Sequence, residues 1–418
     1  MSSSFIESLD EDEGLEFEHQ IYESIDEYIT DEMVRYSKAN FIEEMMFCIV
    51  EPIYELYYDA GLCEEEDYDE IYDFVKQRVD VVIDVVFHIP LRSRSAILES
   101  HQNVAENNIN IESTTEQIAR LRAYPQPEQR TPAWYEFRHN LITASNIGKI
   151  FSTDAQLNSL IYEKCRPENS ASTSAFSNST TSPLHWGNKY EPVSVQVYEH
   201  MYKTKVGEFG CIRHPEHSCI GASPDGINVD AANPVRYGRM LEIKNIVNRE
   251  ITGIPLEMYW IQMQVQMETC GLDHCDFLET RFREYANEAE FHDDAFAEYK
   301  GVILYFVDKH TTVNSKPFYV YMDLFKDREA ISKWSDEMRH KYRKTHTLYE
   351  PIYWHLAEYS CVLVERNRPW FRSALPKILS TWRVIEKERV EGYEHRQAKK
   401  RDPVATKPIG RVCLIKLD

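Results

Sequence analysis

No stretch of this chain approaches the roughly 18 consecutive apolar residues of a membrane-spanning helix. A basic and apolar leader is also missing: Met1-Ser2-Ser3-Ser4-Phe5 runs into acidic residues, so secretion is not expected. The nine cysteines are odd in number and show no disulfide-like spacing. A soluble chain in a reducing, intracellular setting is the expectation. Those cysteines, Cys270 and Cys275 included, also lack the clustering of an iron–sulfur ligand set. Basic residues are scarce at one end only. Residues 1–100 hold 27 of the 69 acidic residues but 6 of the 47 basic ones, so the rest of the chain is near neutral despite a net charge of −22. Phosphate attraction dominates nucleic-acid affinity. The first hundred residues are therefore a poor DNA-binding surface, whereas the remainder can present a local basic groove.

What is present suffices for two or three domains: 418 residues, 43% of them hydrophobic. Apolar residues at mixed spacings of three and four predict helices over 20–39, 40–58 and 71–87. Residues 1–110 thus read as an acidic helical N-terminal region, with a solvated acidic face as the plain interpretation and a partner-binding or DNA-mimicking module as the other. Pro125, Pro127 and Pro132 mark a linker. Residues 111–345 read as the core: short strands over 207–245, helices over 254–270 and 325–342, and strands over 275–281 and 301–307. Strands flanked by helices predict an α/β fold with a mixed sheet. The Ser/Thr/Asn-rich stretch 167–183 reads as a flexible loop. Residues 346–418 read as a C-terminal extension, with a basic cluster at Lys399-Lys400-Arg401 and a candidate edge strand at 410–417.

The chemistry centres on Ser223-Pro224-Asp225-Gly226, followed by Met240-Leu241-Glu242-Ile243-Lys244. Residues two apart on a strand share a face. Glu242 and Lys244 therefore project together while Leu241 and Ile243 pack inward, and Asp225 sits at a turn beside them. Two carboxylates converging on a hard cation suit phosphodiester hydrolysis, because Mg2+ takes oxygen ligands and acidifies bound water. A neighbouring lysine can orient that water or steady developing charge. Alone, such a motif is weak, and a surface hairpin of alternating charge is the commoner explanation.

Its company makes it specific. Trp134-Tyr135-Glu136-Phe137-Arg138 precedes Ile142-Thr143-Ala144-Ser145. Trp186-Gly187-Asn188-Lys189-Tyr190-Glu191 follows, and Gln262-Met263-Gln264-Val265-Gln266-Met267 lies downstream. In order and content these blocks resemble the YqaJ viral recombinase and lambda-exonuclease family over roughly residues 130–285. The resemblance implies a restriction-endonuclease-like core of the PD-(D/E)XK type, with a mixed β-sheet flanked by helices. It implies Asp225 and Glu242 as metal ligands, the Ile243 carbonyl near a metal, and Glu191 as a further acidic member. Lys244 becomes the catalytic lysine, and Gln264 a helix residue lining the site. Arg138, Ser145 and Ser223 map to a 5′-phosphate pocket, where a planar guanidinium suits paired phosphate hydrogen bonds. The implied activity is Mg2+-dependent 5′-to-3′ exonucleolysis of duplex DNA ends, with Mn2+ as a substitute. A single-strand annealing protein is the implied partner, a trimer the implied assembly, and a viral or phage setting, in host cytoplasm or nucleus, the implied location. An endonuclease or structure-specific nuclease on the same core and a non-catalytic DNA-binding or scaffold protein are the alternatives.

Competing readings stand beside several residues. Asn188-Lys189-Tyr190-Glu191 has the form of a capping box, and Pro192 suits a first helical turn, so Glu191 has a capping alternative. Ser145 has a helix-start alternative, and Arg138 an ordinary ion pair. Gln262, Gln264 and Gln266 cannot all share one helical face. The segment between Asp230 and Arg239 reads as a long hairpin tip. Cys211, His214, His217 and Cys219 offer zinc donors in a spacing too tight for most structural sites, and a strand–turn–strand is expected there instead.

Overall fold

The computed structural model describes residues 5–83, 111–127, 131–167, 183–309 and 317–397. Most of the loop expected at 167–183 lies outside the described residues, as do Lys399-Lys400-Arg401 and the strand expected at 410–417. The acidic N-terminal region is helical as expected: α1 (Glu11–Glu32), α2 (Phe41–Asp59) and α3 (Tyr68–Val81). Asp10 starts α1 with a reciprocal capping box to Glu13. Phe17, Ile21, Ile25 and Ile29 form its buried stripe, at helical spacing.

The central sheet contains seven strands among the described residues, in the order β2 (Val206–Gly207), β5 (Gly226–Asn228), β6 (Met240–Asn245), β7 (His274–Glu284), β10 (His346–Glu365), β8 (Lys300–Asp308) and β9 (Phe318–Tyr321). β6 and β7 are parallel and their crossover carries a helix; the other pairs are antiparallel, so the sheet is mixed as expected. A smaller sheet joins β1 (Ile142–Thr143), β4 (Ile220–Ala222) and β3 (Ile212–Arg213). Flanking helices include α4 (Ile111–Ala123), α5 (Pro132–His139), α6 (Asp154–Cys165), α7 (Pro183–Tyr202), α8 (Glu257–Cys270), α9 (Arg328–Tyr342) and α10 (Arg368–Glu391).

Two expectations need correction. The boundary at 345/346 fails because β10 lies inside the sheet, between β7 and β8, so residues 346–365 belong to the core. Pro132 is not linker; it takes the first position of α5 after Thr131, whose hydroxyl accepts from the Trp134 N–H at 3.3 Å. The N-terminal helices share a core with the sheet-flanking helices. Their buried residues are continuous with those of α8 and α10. Trp370 on α10 meets Trp260 edge-on at 5.2 Å and donates its indole N–H to the Val34 carbonyl at 3.1 Å. Lys38 reaches Glu257, at the start of α8, at 2.9 Å.

Because Trp370 joins the two parts, Trp370→Ala should cost about 3–5 kcal/mol in denaturant unfolding. A loss below about 1 kcal/mol would mean that the N-terminal helices and the sheet do not share a core.

Candidate active site

The site forms where β5 splays from β6. Gly226 pairs with Leu241, and a side chain at 226 would collide with Val206 on β2, which is why the turn after Asp225 takes glycine. One step further along, the ladder has opened, and the Ile243 N–H donates to Asp225 Oδ2 at 2.7 Å. Strand alternation divides β6 as expected. Leu241 and Ile243 pack with Tyr198 of α7, while Glu242 and Lys244 turn to the α8 side.

Glu242 is fully buried, with three donors on its carboxylate. Lys244 Nζ and Gln262 Nε2 (2.7 Å) share Oε1, and Gln266 Nε2 reaches Oε2 at 2.7 Å. Gln262 and Gln266 are four apart and lie on one helix face. Gln264 points elsewhere: it donates to the Glu365 carbonyl at 2.9 Å and accepts from the Asn367 N–H at 2.6 Å, closing the β10–α10 junction. The expectation that Gln264 lines the site is corrected to Gln262 and Gln266. The signal was in the sequence, since only the outer pair of the three glutamines has helical spacing.

Burial first, then the charges of Glu242 and Glu191, push the Asp225 carboxyl well above its usual range, against Lys244 and the Ile243 N–H. Burial alone would lower the Lys244 ammonium, but Glu242 and Asp225 reverse this and hold it above its ordinary value. Lys244 Nζ also lies 4.7 Å from the centre of the Tyr259 ring. α7 runs unbroken through Pro192, so Glu191 is mid-helix and the capping alternative for it is set aside. Three carboxylates within electrostatic reach, together with the main chain at Ile243, offer oxygen donors, which suit Mg2+ or Mn2+ rather than a soft ion. Among the described residues no three acidic, histidine or cysteine side chains close into a metal-holding group. Glu242 is instead oriented by its lysine and two amides.

A second cluster adjoins the first. Arg138, in the last turn of α5, donates to Ser223 Oγ at 3.2 Å and Ser145 Oγ at 3.4 Å, and lies over the Trp134 ring at 4.4 Å. The three residues expected to form a phosphate pocket are thus together, with Ser223 two residues before Asp225. Behind Arg138 stand two cations without a local sequence signal. Lys164, 4% exposed, donates to the Arg138 carbonyl at 2.8 Å. Arg389 of α10 donates to the carbonyls of Lys164 and His139, both at 2.9 Å. Cations at the ends of α5 and α6 also complement the helix dipoles.

The stretch from Cys211 to Cys219 forms β3 and a turn that leads into β4. His214 Nδ1 accepts the N–H groups of Glu216 and His217, both at 3.1 Å, and its ring stacks on Phe371. The segment between Asp230 and Arg239 is more than a hairpin tip: its end supplies Arg236 and Arg239, which both pair with buried Asp276.

Fold and site together define a mixed-sheet protein with a carboxylate–lysine centre beside an arginine–serine cluster. Residues 133–273 match the family model of the YqaJ-like viral recombinase domain. The uncharacterized protein R354 of Acanthamoeba polyphaga mimivirus is 28% identical over 303 residues, which is 63% of this chain and 54% of that relative. The chain therefore spans about half the length of the curated relative it matches. Among solved structures, the alkaline exonuclease LHK-Exo from Laribacter hongkongensis is similar alone and with dAMP, each at 18% identity and with TM-scores of 0.38 and 0.37. Each similarity covers 62% of this chain and 94% of that one.

Burial, with Arg138 and Arg389 adding and Glu163 opposing, pushes the Lys164 ammonium down to about 8. An unfolded lysine titrates near about 10.4. The folded protein therefore releases this proton first, and stability should rise with pH between those values. Relative to Lys164→Met, wild-type unfolding free energy should gain about 2–3 kcal/mol from pH 8 to pH 10. A difference that stays flat over this range would contradict the assignment.

Proposed function

We propose that this chain is a metal-dependent deoxyribonuclease of the PD-(D/E)XK type that degrades linear duplex DNA from 5′-phosphorylated ends, in the 5′-to-3′ direction. The observation that carries this reading is the adjacency of the two clusters: Arg138 grips Ser223, and Ser223 leads directly into Asp225. An anion binder beside a carboxylate–lysine centre suits an enzyme that holds a terminal phosphate while the neighbouring phosphodiester is cut. The match of residues 133–273 to a viral recombinase domain supports a role in viral DNA recombination, replication or repair. The expected product is a 3′ single-stranded overhang, the substrate of a strand-annealing partner; assembly as a trimer belongs to the same proposal.

Asp225, Glu242 and the Ile243 carbonyl would hold Mg2+, or Mn2+ in its place, with Glu191 as the fourth contributor. A divalent ion there supplies Lewis acidity toward a phosphoryl oxygen and lowers the pKa of water. The protein's own contributions are separate. Gln262 and Gln266 hold the Glu242 carboxylate in one orientation. Lys244, kept charged by its carboxylate neighbours, is placed to stabilise charge on the phosphate or orient the attacking water. Arg138, Ser145 and Ser223 bind the terminal phosphate, while Lys164 and Arg389 position Arg138 through its helix.

The test is Mg2+-dependent digestion of 5′-phosphorylated linear duplex beside closed circular DNA. Loss of the linear form alone is expected, with Glu242→Gln and Lys244→Ala each lowering the rate at least about 100-fold. Removing the terminal phosphate should slow wild type but leave Arg138→Ala nearly unaffected. Cutting of circles would replace the exonuclease reading with an endonuclease. No cleavage of either, with Mg2+ or Mn2+, would leave a DNA-binding scaffold as the function.

A further inference from the structure

The β8–β9 side of the sheet carries a cavity chemically different from the candidate active site. Tyr305 on β8 stands opposite Tyr319 on β9 and Glu350 on β10, so the three share one face of adjacent strands. An irregularity in β10 between Leu348 and Glu350 adds Tyr349 to the group, and such bulges re-aim side chains. The Tyr305 ring lies 5.2 Å from Tyr319 and 5.0 Å from Tyr349. With Lys189, Glu284 and Ile352 these residues line a cavity of about 280 Å³.

The balance of partners in this cavity is uneven. Its one cation among the described residues, buried Lys189, is already paired with Glu284 Oε1 at 2.5 Å, and Tyr190 donates to the same oxygen at 2.7 Å. Glu284 Oε2 has no hydrogen-bond partner among the described residues. Neither do the exposed Glu350 carboxylate or the hydroxyls of Tyr305 and Tyr349. Burial first, then Tyr305, Tyr321, Glu284 and Glu350, raise the Tyr319 phenol. Among the described residues the cavity therefore offers π faces, two carboxylates and several oxygen acceptors, with no uncommitted donor cation. A phosphodiester strand would meet like charge here. A planar cation with several N–H donors would meet complementary groups on every side.

We propose that this cavity is a docking site for an arginine side chain of a partner protein. The guanidinium stacks on Tyr305 and Tyr349 and donates to Glu350 and Glu284 Oε2. The site is independent of the nuclease reading, although it sits close to that centre. His185 bonds Tyr319 at 2.6 Å on the same helix that carries Glu191, six residues or about 9 Å further along.

Saturation-transfer difference NMR on the full chain, with N-acetyl-arginine methylamide as probe, tests the proposal. Saturable binding is expected, with no binding of the isosteric but neutral citrulline analogue. Tyr349→Ala and Glu350→Gln, both at exposed positions, should each weaken binding at least fivefold without shifting the thermal midpoint. Absence of a saturable signal, equal binding of the citrulline analogue, or unchanged affinity in both variants would overturn the proposal. Displacement of the probe by a short oligothymidylate would also overturn it, in favour of a base-stacking surface.

Discussion

The buried carboxylate of Glu242 is the constraint on which the centre of this protein depends. A charged group without access to water must be met by donors on every side, and leaving it unpaired costs several kcal/mol. Lys244 comes from the same strand, but Gln262 and Gln266 come from α8, after the chain has left β6 and before it returns as β7. Satisfying one carboxylate therefore fixes the rotation of α8 against the sheet. Gln264, two residues from each of these glutamines, is then turned away and free to close the β10–α10 junction. One helix serves the site on one face and the far end of the core on another.

The same economy governs the basic side. Arg138 touches two serines with its guanidinium, but its backbone carbonyl is held by Lys164, and the end of its helix by Arg389. Residues from positions 138, 164 and 389 thus converge, although only the first belongs to a recognisable motif. The positive charge gathered there opposes the acidic character of the N-terminal helices. Those helices contact the core through Lys38 and the Trp370 junction.

Much of the site was legible because its chemistry is written at short range. Alternation along β6 separates Glu242 and Lys244 from Leu241 and Ile243, and a turn places Asp225. The choice among three glutamines was also decidable from helical spacing, yet Gln264 drew attention through the family motif. The supporting cations were not legible, since nothing near Lys164 or Arg389 announces that they meet at one helix end. β10 was hidden for a different reason. Pro351 argues against a strand, and irregularities at Leu348/Glu350 and Leu356/Glu358 interrupt the alternation that would reveal one. Burial from both neighbouring strands outweighs those local signals.

The late arrival of β10 shapes how the protein comes into being. Leu278 on β7 pairs with Cys361, and Ile303 on β8 pairs with Ile352, so both strands wait for a partner that is synthesised after them. At about 5–20 residues per second, β7 stands with an open edge for roughly 4–16 s on the ribosome. Open edges recruit other strands. β10 removes that hazard by pairing with β7 and β8 together, so the last long strand to be made closes both edges. The strand that carries Glu242 and Lys244 is thus made before the strand that completes its sheet.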